Sequence, residues 1–288
     1  MDLLASLLTA TPTAFASLAE FRAATAGLGT TPIDFALLAG ARADRLGYAF
    51  AAGYAAALRH LLPHFDGYGA LCITEAGGAH PRAIRTTLSQ GRVTGEKVWS
   101  TLAGDGDALF VAASVGFDGD KNQLRIARVS PKNAILTRMS ETPFAPEIPH
   151  FSVRFDGAPV EDVLPGDGWE AYIKPFRTVE DIHVCAAATA YALNLAPWPN
   201  EARASPLSVL VTFRALAALP QSPSTHIALG GALASTRRAL SDLDWNLAAP
   251  DVRSRWERDA PLLHVAERAR TARLEAAWVR LRREGAPS

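Results

Sequence analysis

The sequence predicts an α+β chain in three successive parts: N-terminal helices over residues 1–66, a central antiparallel β domain over 67–176 and a C-terminal helical bundle over 177–288. Apolar residues recur at intervals of three and four before about His60 and again after about Thr178, whereas the stretch between them reads as short apolar runs punctuated by Gly, Asp and Pro. The clearest strand signal is Phe151, Val153 and Phe155 alternating with Ser152, Arg154 and Asp156, the period-two pattern of a ribbon with one wet face.

Each part has its own punctuation. Leu3, Leu7 and Leu8 open a helical pattern, Thr11-Pro12 and the Gly27 to Pro32 stretch interrupt it, and Leu46, Phe50, Tyr54, Leu58 and Leu61 restore it at helical spacing. In the middle part, Ala108 to Ser114 and Leu124 to Val129 read as further strands. The last part divides into predicted helices over 178–196, 206–219, 224–247 and 251–283, with Pro197, Pro199, Pro220, Pro223 and Pro250 between or just inside them.

Composition narrows the function. With 49% apolar and 20% charged residues in 288, the chain is long and apolar enough to bury a core, which excludes fibrous and disordered classes. Lys plus Arg equals Asp plus Glu at 29 each, so no net field draws nucleic acid or an anionic membrane. Cys72 and Cys185 make neither a disulfide framework nor the paired spacing of a metal site, which fits a cytoplasmic protein without a bound metal. No apolar run reaches the roughly 18 residues that span a bilayer, so no membrane span is expected.

Residues 71–81 read LCITEAGGAHP and residues 93–104 read VTGEKVWSTLAG, followed by ALFVAAS at 108–114. In order and spacing these motifs resemble those of the acyl-CoA dehydrogenase family, flavoproteins of α-β-α architecture. The likeness extends through FSVRFDGAPVEDVLPGDG at 151–168 and weakens in the last third. The resemblance implies FAD as cofactor, with Trp99 covering the flavin ring, the Thr101 hydroxyl donating to flavin N5, and Thr74 on the pyrimidine side beside backbone groups of Ile73, Gly78 and Ser100. Strand geometry agrees for one pair: Trp99 and Thr101 are two residues apart and project from the same face of a ribbon. An isolated Trp-x-Thr reads equally as a core aromatic and a strand former; two motifs in register favour the cofactor.

Gly77-Gly78-Ala79-His80-Pro81 replaces the family's usual Gly-x-Gly-Ser-Asp ending. His80 is therefore a candidate substrate contact, or an exposed loop histidine. For the base that removes a substrate α-proton the resemblance implies two carboxylates. Glu180 lies at the start of the predicted helix at 178, where Thr178 and Asp181 resemble a capping box. Glu267 follows Arg258-Asp259 at the family's spacing but lacks the flanking Tyr and Gly, and its surroundings read as uninterrupted helix with a solvated charged face. Glu180 is slightly preferred.

The family's Arg-rich, Gln-containing segment that reaches the adenine end of FAD in a neighbouring subunit is not found, and Gly230-Gly231 lies too far upstream to supply its late glycine turn. The expectation is an FAD-dependent oxidoreductase acting on the CH–CH group of an acyl-CoA thioester and passing electrons to an acceptor, as a homodimer or homotetramer. A flavin-dependent monooxygenase of the same fold and a non-catalytic binding relative that has lost flavin are the alternatives.

Overall fold

The computed structural model describes residues 2–284. It divides into two compact units: one gathers the chain up to His60, Pro143–Glu147 and the chain from Thr178 onward, and the other holds Leu61–Thr142 and Ile148–Arg177. The helices expected as separate first and last modules therefore belong to one unit.

That helical unit begins with α1 (Leu3–Thr9), α2 (Leu18–Thr25), α3 (Pro32–Arg42) and α4 (Leu46–Leu61). Their starts are capped as the sequence dictates. Ser17 accepts from the Glu20 amide while the Glu20 carboxylate accepts from Ala16, and Thr31 caps α3 ahead of Pro32. The unit continues with α5 (Lys174–Leu193), α6 (Asn200–Ala217), α7 (Pro223–Ser241), α8 (Pro250–Asp259) and α9 (Glu267–Glu284), the first residues of α5 belonging to the other unit. Leu7, Ile33 and Leu37 share one core with Ile182, Leu210 and Phe213, so the first helices and the last bury the same apolar surface. Two glycines allow close approach: a Cβ on Gly53 would fall 2.6 Å from Val184 Cα, and one on Gly40 would strike the Ala187 carbonyl.

Several helix boundaries differ from expectation, each for a local reason. α5 starts at Lys174, running straight on from a π turn at Trp169–Ile173; Pro175, which has no amide to donate back to that turn, lies where the hydrogen-bond ladder changes. Thr178 thus lies inside the helix and caps nothing; its hydroxyl is 3.3 Å from His226 Nε2. α6 runs through Pro206 instead of starting there, and α7 ends at Ser241 ahead of a short 3₁₀ turn at Trp245–Leu247. The long helix expected over 251–283 is broken by a 3₁₀ turn at Ala260–His264, where Pro261 has no N–H to continue the ladder.

The second unit is an eight-stranded sheet of β1 (Gly69–Cys72), β2 (Thr87–Ser89), β3 (Arg92–Thr101), β4 (Ala108–Asp118), β5 (Lys121–Val129), β6 (Ile135–Arg138), β7 (His150–Pro159) and β8 (Asp162–Val163). The strand order is β6-β7-β3-β2-β4-β5-β8, with β1 also paired to β4. Most neighbours are antiparallel, as predicted, but β1 and β2 both pair with β4 in parallel, making the sheet mixed. β1 is buried along its whole length and β4 over its first seven residues, the uninterrupted apolar reading typical of parallel strands. Val93, Val111, Val153 and Phe155 lie in its core. Among the described residues no helix is long and apolar enough to cross a membrane.

Candidate active site

The segment after β1 is stapled to β3 by its backbone. The Ile73 carbonyl accepts from Lys97 Nζ at 3.2 Å, and the Thr74 carbonyl accepts from the Val98 amide at 2.8 Å. Glu75 and Gly78 exchange both backbone hydrogen bonds around Ala76-Gly77, with Gly78 at φ +102°, a conformation that favours glycine. Beneath this turn the Glu75 carboxylate accepts from Lys97 Nζ at 2.7 Å and from the amides of Arg85 and Thr86 at 2.7 and 3.0 Å. Burial opposes ionisation of Glu75, but Lys97 and those amides together hold its carboxyl below the usual range. Burial pulls the Lys97 ammonium down while Glu75 opposes the shift.

His80 is exposed, and its Nδ1 accepts from the Arg82 amide at 3.2 Å, capping the 3₁₀ turn at Pro81–Ala83. Its ring centroid lies 6.3 Å from that of Trp169, over which the Arg177 guanidinium sits at 5.5 Å. This local capping accounts for one of its nitrogens.

On β3 the register against β7 shifts by one residue between Lys97 and Ser100, a β-bulge. Trp99 occupies it with φ +57°, left-handed backbone that an aromatic residue adopts only at a cost of order 1–3 kcal/mol. The result is an indole 53% exposed, while Ser100 turns inward and Thr101 is half-buried. The Trp99 amide donates to Met139 Sδ at 3.4 Å, and its ring meets that of His150 edge-on with centroids 5.7 Å apart. Thr101 Oγ1 is 3.1 Å from His150 Nδ1. Burial lowers the His150 pKa. Sequence reasoning missed both Met139 and His150. His150 had a signal, since it continues the alternation of Phe151 to Asp156 by one residue and pairs with Thr101 in the ladder; nothing local marked Met139.

The two candidate carboxylates lie in the helical unit, whereas the Trp99, Thr101, Thr74, Ile73, Gly78 and Ser100 group lies on the sheet unit. Glu180 is half-buried in the second turn of α5. Glu267 is the first residue of α9, 42% exposed and 3.3 Å from Arg237. Asp181, read from the sequence as part of a cap, is instead buried and holds two guanidiniums: Arg270 Nε at 2.8 Å and Arg273. A hollow of about 90 Å³ runs beside this cluster and is also lined by Glu267, Arg237 and His226. Among the described residues no group of three or more His, Cys, Asp or Glu is placed to hold a metal ion.

No family model and no curated protein matches the chain. Solved structures do. A putative acyl-CoA dehydrogenase from Mycobacterium smegmatis is 15% identical, with TM-score 0.56 over 91% of this chain and 83% of that one. Butyryl-CoA dehydrogenase from Megasphaera elsdenii is 13% identical, with TM-score 0.60 over 96% and 88%. FMN-bound TdsC from Paenibacillus sp. A11-2 is 14% identical, with TM-score 0.64 over 90% and 86%. The chain has the acyl-CoA dehydrogenase-like fold.

Proposed function

We propose that this chain is a flavin-dependent oxidoreductase acting on the Cα–Cβ bond of an acyl-CoA thioester. The observation that carries the reading is Trp99: a strained backbone leaves more than half of a large apolar ring open, and the ring meets His150, which also lies 3.1 Å from the Thr101 hydroxyl. Strain of this kind clusters at ligand sites, and an open indole suits a flat aromatic ring. In this reading Trp99 lies against the flavin, Thr101 turns its hydroxyl to the ring edge, and Thr74 with the backbone of Ile73, Gly78 and Ser100 holds the pyrimidine side. When bound, the flavin supplies the hydride acceptor.

The chain's own contribution is then positioning and proton removal. Glu180 takes the substrate α-proton at its carboxylate; its half-buried place in α5 favours it over the more exposed Glu267. FAD is the preferred cofactor, with an external acceptor removing the electrons. FMN is the second reading, supported by the lack of a recognisable adenine-end segment and by the likeness to FMN-bound TdsC.

The test is to reconstitute the purified full chain with FAD and with FMN, then mix it anaerobically with a series of acyl-CoAs. Bleaching of the bound flavin is expected, slowed by roughly 10²–10⁴ in Glu180→Gln. An unchanged rate in that variant with a slow Glu267→Gln moves the base to Glu267. A chain that takes up neither flavin overturns the enzyme reading and leaves a binding role.

A further inference from the structure

We propose that the C-terminal helices hold a second small-molecule site, which takes a short aliphatic carboxylate and needs no flavin. A hollow of about 210 Å³ opens among α5, α7, α8 and the 3₁₀ turn that follows it. That exceeds the roughly 150 Å³ of a dry cavity able to hold benzene, and it falls short of the ~300 Å³ at which sites for drug-sized ligands begin, which suits a small ligand.

Its walls divide by chemistry. Leu233, Leu240, Trp256, Ala260 and Leu263 make an apolar floor. Trp256 is fixed there by stacking on Trp245, with ring centroids 4.4 Å apart and planes 10° apart, so this wall is rigid. Cys185 adds to the floor as a neutral group, its thiol pushed up to about 12 by burial.

The polar wall carries Arg237, Arg270, His264 and Thr236 and no carboxylate. Glu267 and Asp181, the acids that pair with the two arginines, line the neighbouring smaller hollow instead, and the two hollows share Leu233, Arg237 and Arg270. Asp181 is moreover divided between Arg270 and Arg273, so one carboxylate faces two guanidiniums. Arg270 is only 11% exposed, where an added anion is weakly screened; its Nε donates to Asp181, its Nη1 to the Leu263 carbonyl and its Nη2 to Cys185 Sγ at 3.7 Å, so the more open Arg237 offers the fork. A guanidinium fork recognises a planar carboxylate, and the floor beyond it recognises an alkyl tail. A monocarboxylate of a few carbons satisfies both walls.

The experiment titrates sodium hexanoate into the flavin-free full chain by calorimetry, with hexanol and acetate as controls. Because no flavin or thioester is present, the result is independent of the oxidoreductase reading. Saturable hexanoate binding is expected, with hexanol and acetate each weaker. About tenfold loss is expected in Arg237→Gln, which removes one fork, and in Ala260→Leu, which fills the floor, with melting temperatures recorded to show both variants folded. Absence of saturable binding overturns the site. Equal binding of hexanol or acetate overturns the ligand class, and undiminished binding in both folded variants overturns the location.

Discussion

Thr101 Oγ1 and His150 Nδ1 lie 3.1 Å apart, side by side across the β3–β7 ladder. A lowered pKa keeps the imidazole neutral at pH 7, so one of its nitrogens accepts and the other donates. With Nδ1 bare, the Thr101 hydroxyl donates its hydrogen bond to His150; with Nδ1 protonated, Thr101 accepts and its own O–H turns outward. The tautomer of His150 therefore sets whether Thr101 acts as a donor beside the Trp99 ring. Thr101→Val is expected to weaken flavin binding two- to tenfold, the span of one hydrogen bond, while His150→Leu, which frees the hydroxyl, leaves binding equal or tighter. Fluorescence titration with FAD and FMN measures both.

Acid destabilises the helical unit through His183. This residue is fully buried, donates from Nδ1 to the Val179 carbonyl at 2.7 Å, and has its pKa pushed down by burial to about 3. Between the ordinary imidazole value near 6.5 and about 3 the unfolded chain binds the extra proton, so stability is complete above pH 6.5 and falls as the pH drops through this window. His183→Leu is expected to flatten the fall by a few kcal/mol between pH 7 and pH 4, read from urea unfolding at each pH.

Lys97 and Glu75 form an ion pair with the lysine wholly buried. Lys97→Met strands the Glu75 carboxylate on two amides and is expected to cost about 3–5 kcal/mol. Adding Glu75→Gln recovers part of that, and a double-mutant cycle gives the coupling.

Trp99→Gly relieves the left-handed backbone. Because the indole is mostly in solvent, thermal stability is expected to stay level or rise by about 1 kcal/mol while flavin retention falls. A large loss of stability identifies Trp99 as a packing residue instead.

Asp181→Asn leaves two guanidiniums without their buried carboxylate and is expected to cost about 3–5 kcal/mol. The exposed Arg237–Glu267 pair provides the contrast: Arg237→Gln changes unfolding free energy by under about 1 kcal/mol.

The sequence is most legible where a residue's environment follows from its near neighbours. The alternation at Phe151 to Asp156 is present in β7, with Val153 and Phe155 buried. Trp99 and Thr101 both approach His150, and the bulge that exposes Trp99 had no glycine at that residue to announce it. The start of the helix predicted at 178 lies instead at Lys174, because the π turn at Trp169–Ile173 runs straight into it and such a turn has no periodicity of its own. The parallel pairings of β1 and β2 with β4, and the contacts of Asp181 with Arg270 and Arg273, join distant segments that leave no local periodicity.

The backbone contacts at Gly40 and Gly53 carry a consequence for biosynthesis. α3 and α4 leave the ribosome early, yet the surface they press against is Ala187 and Val184 of α5, which is translated only after every strand. Every strand is made while the first helices still lack their counterpart, so this apolar surface is covered only once α5 emerges.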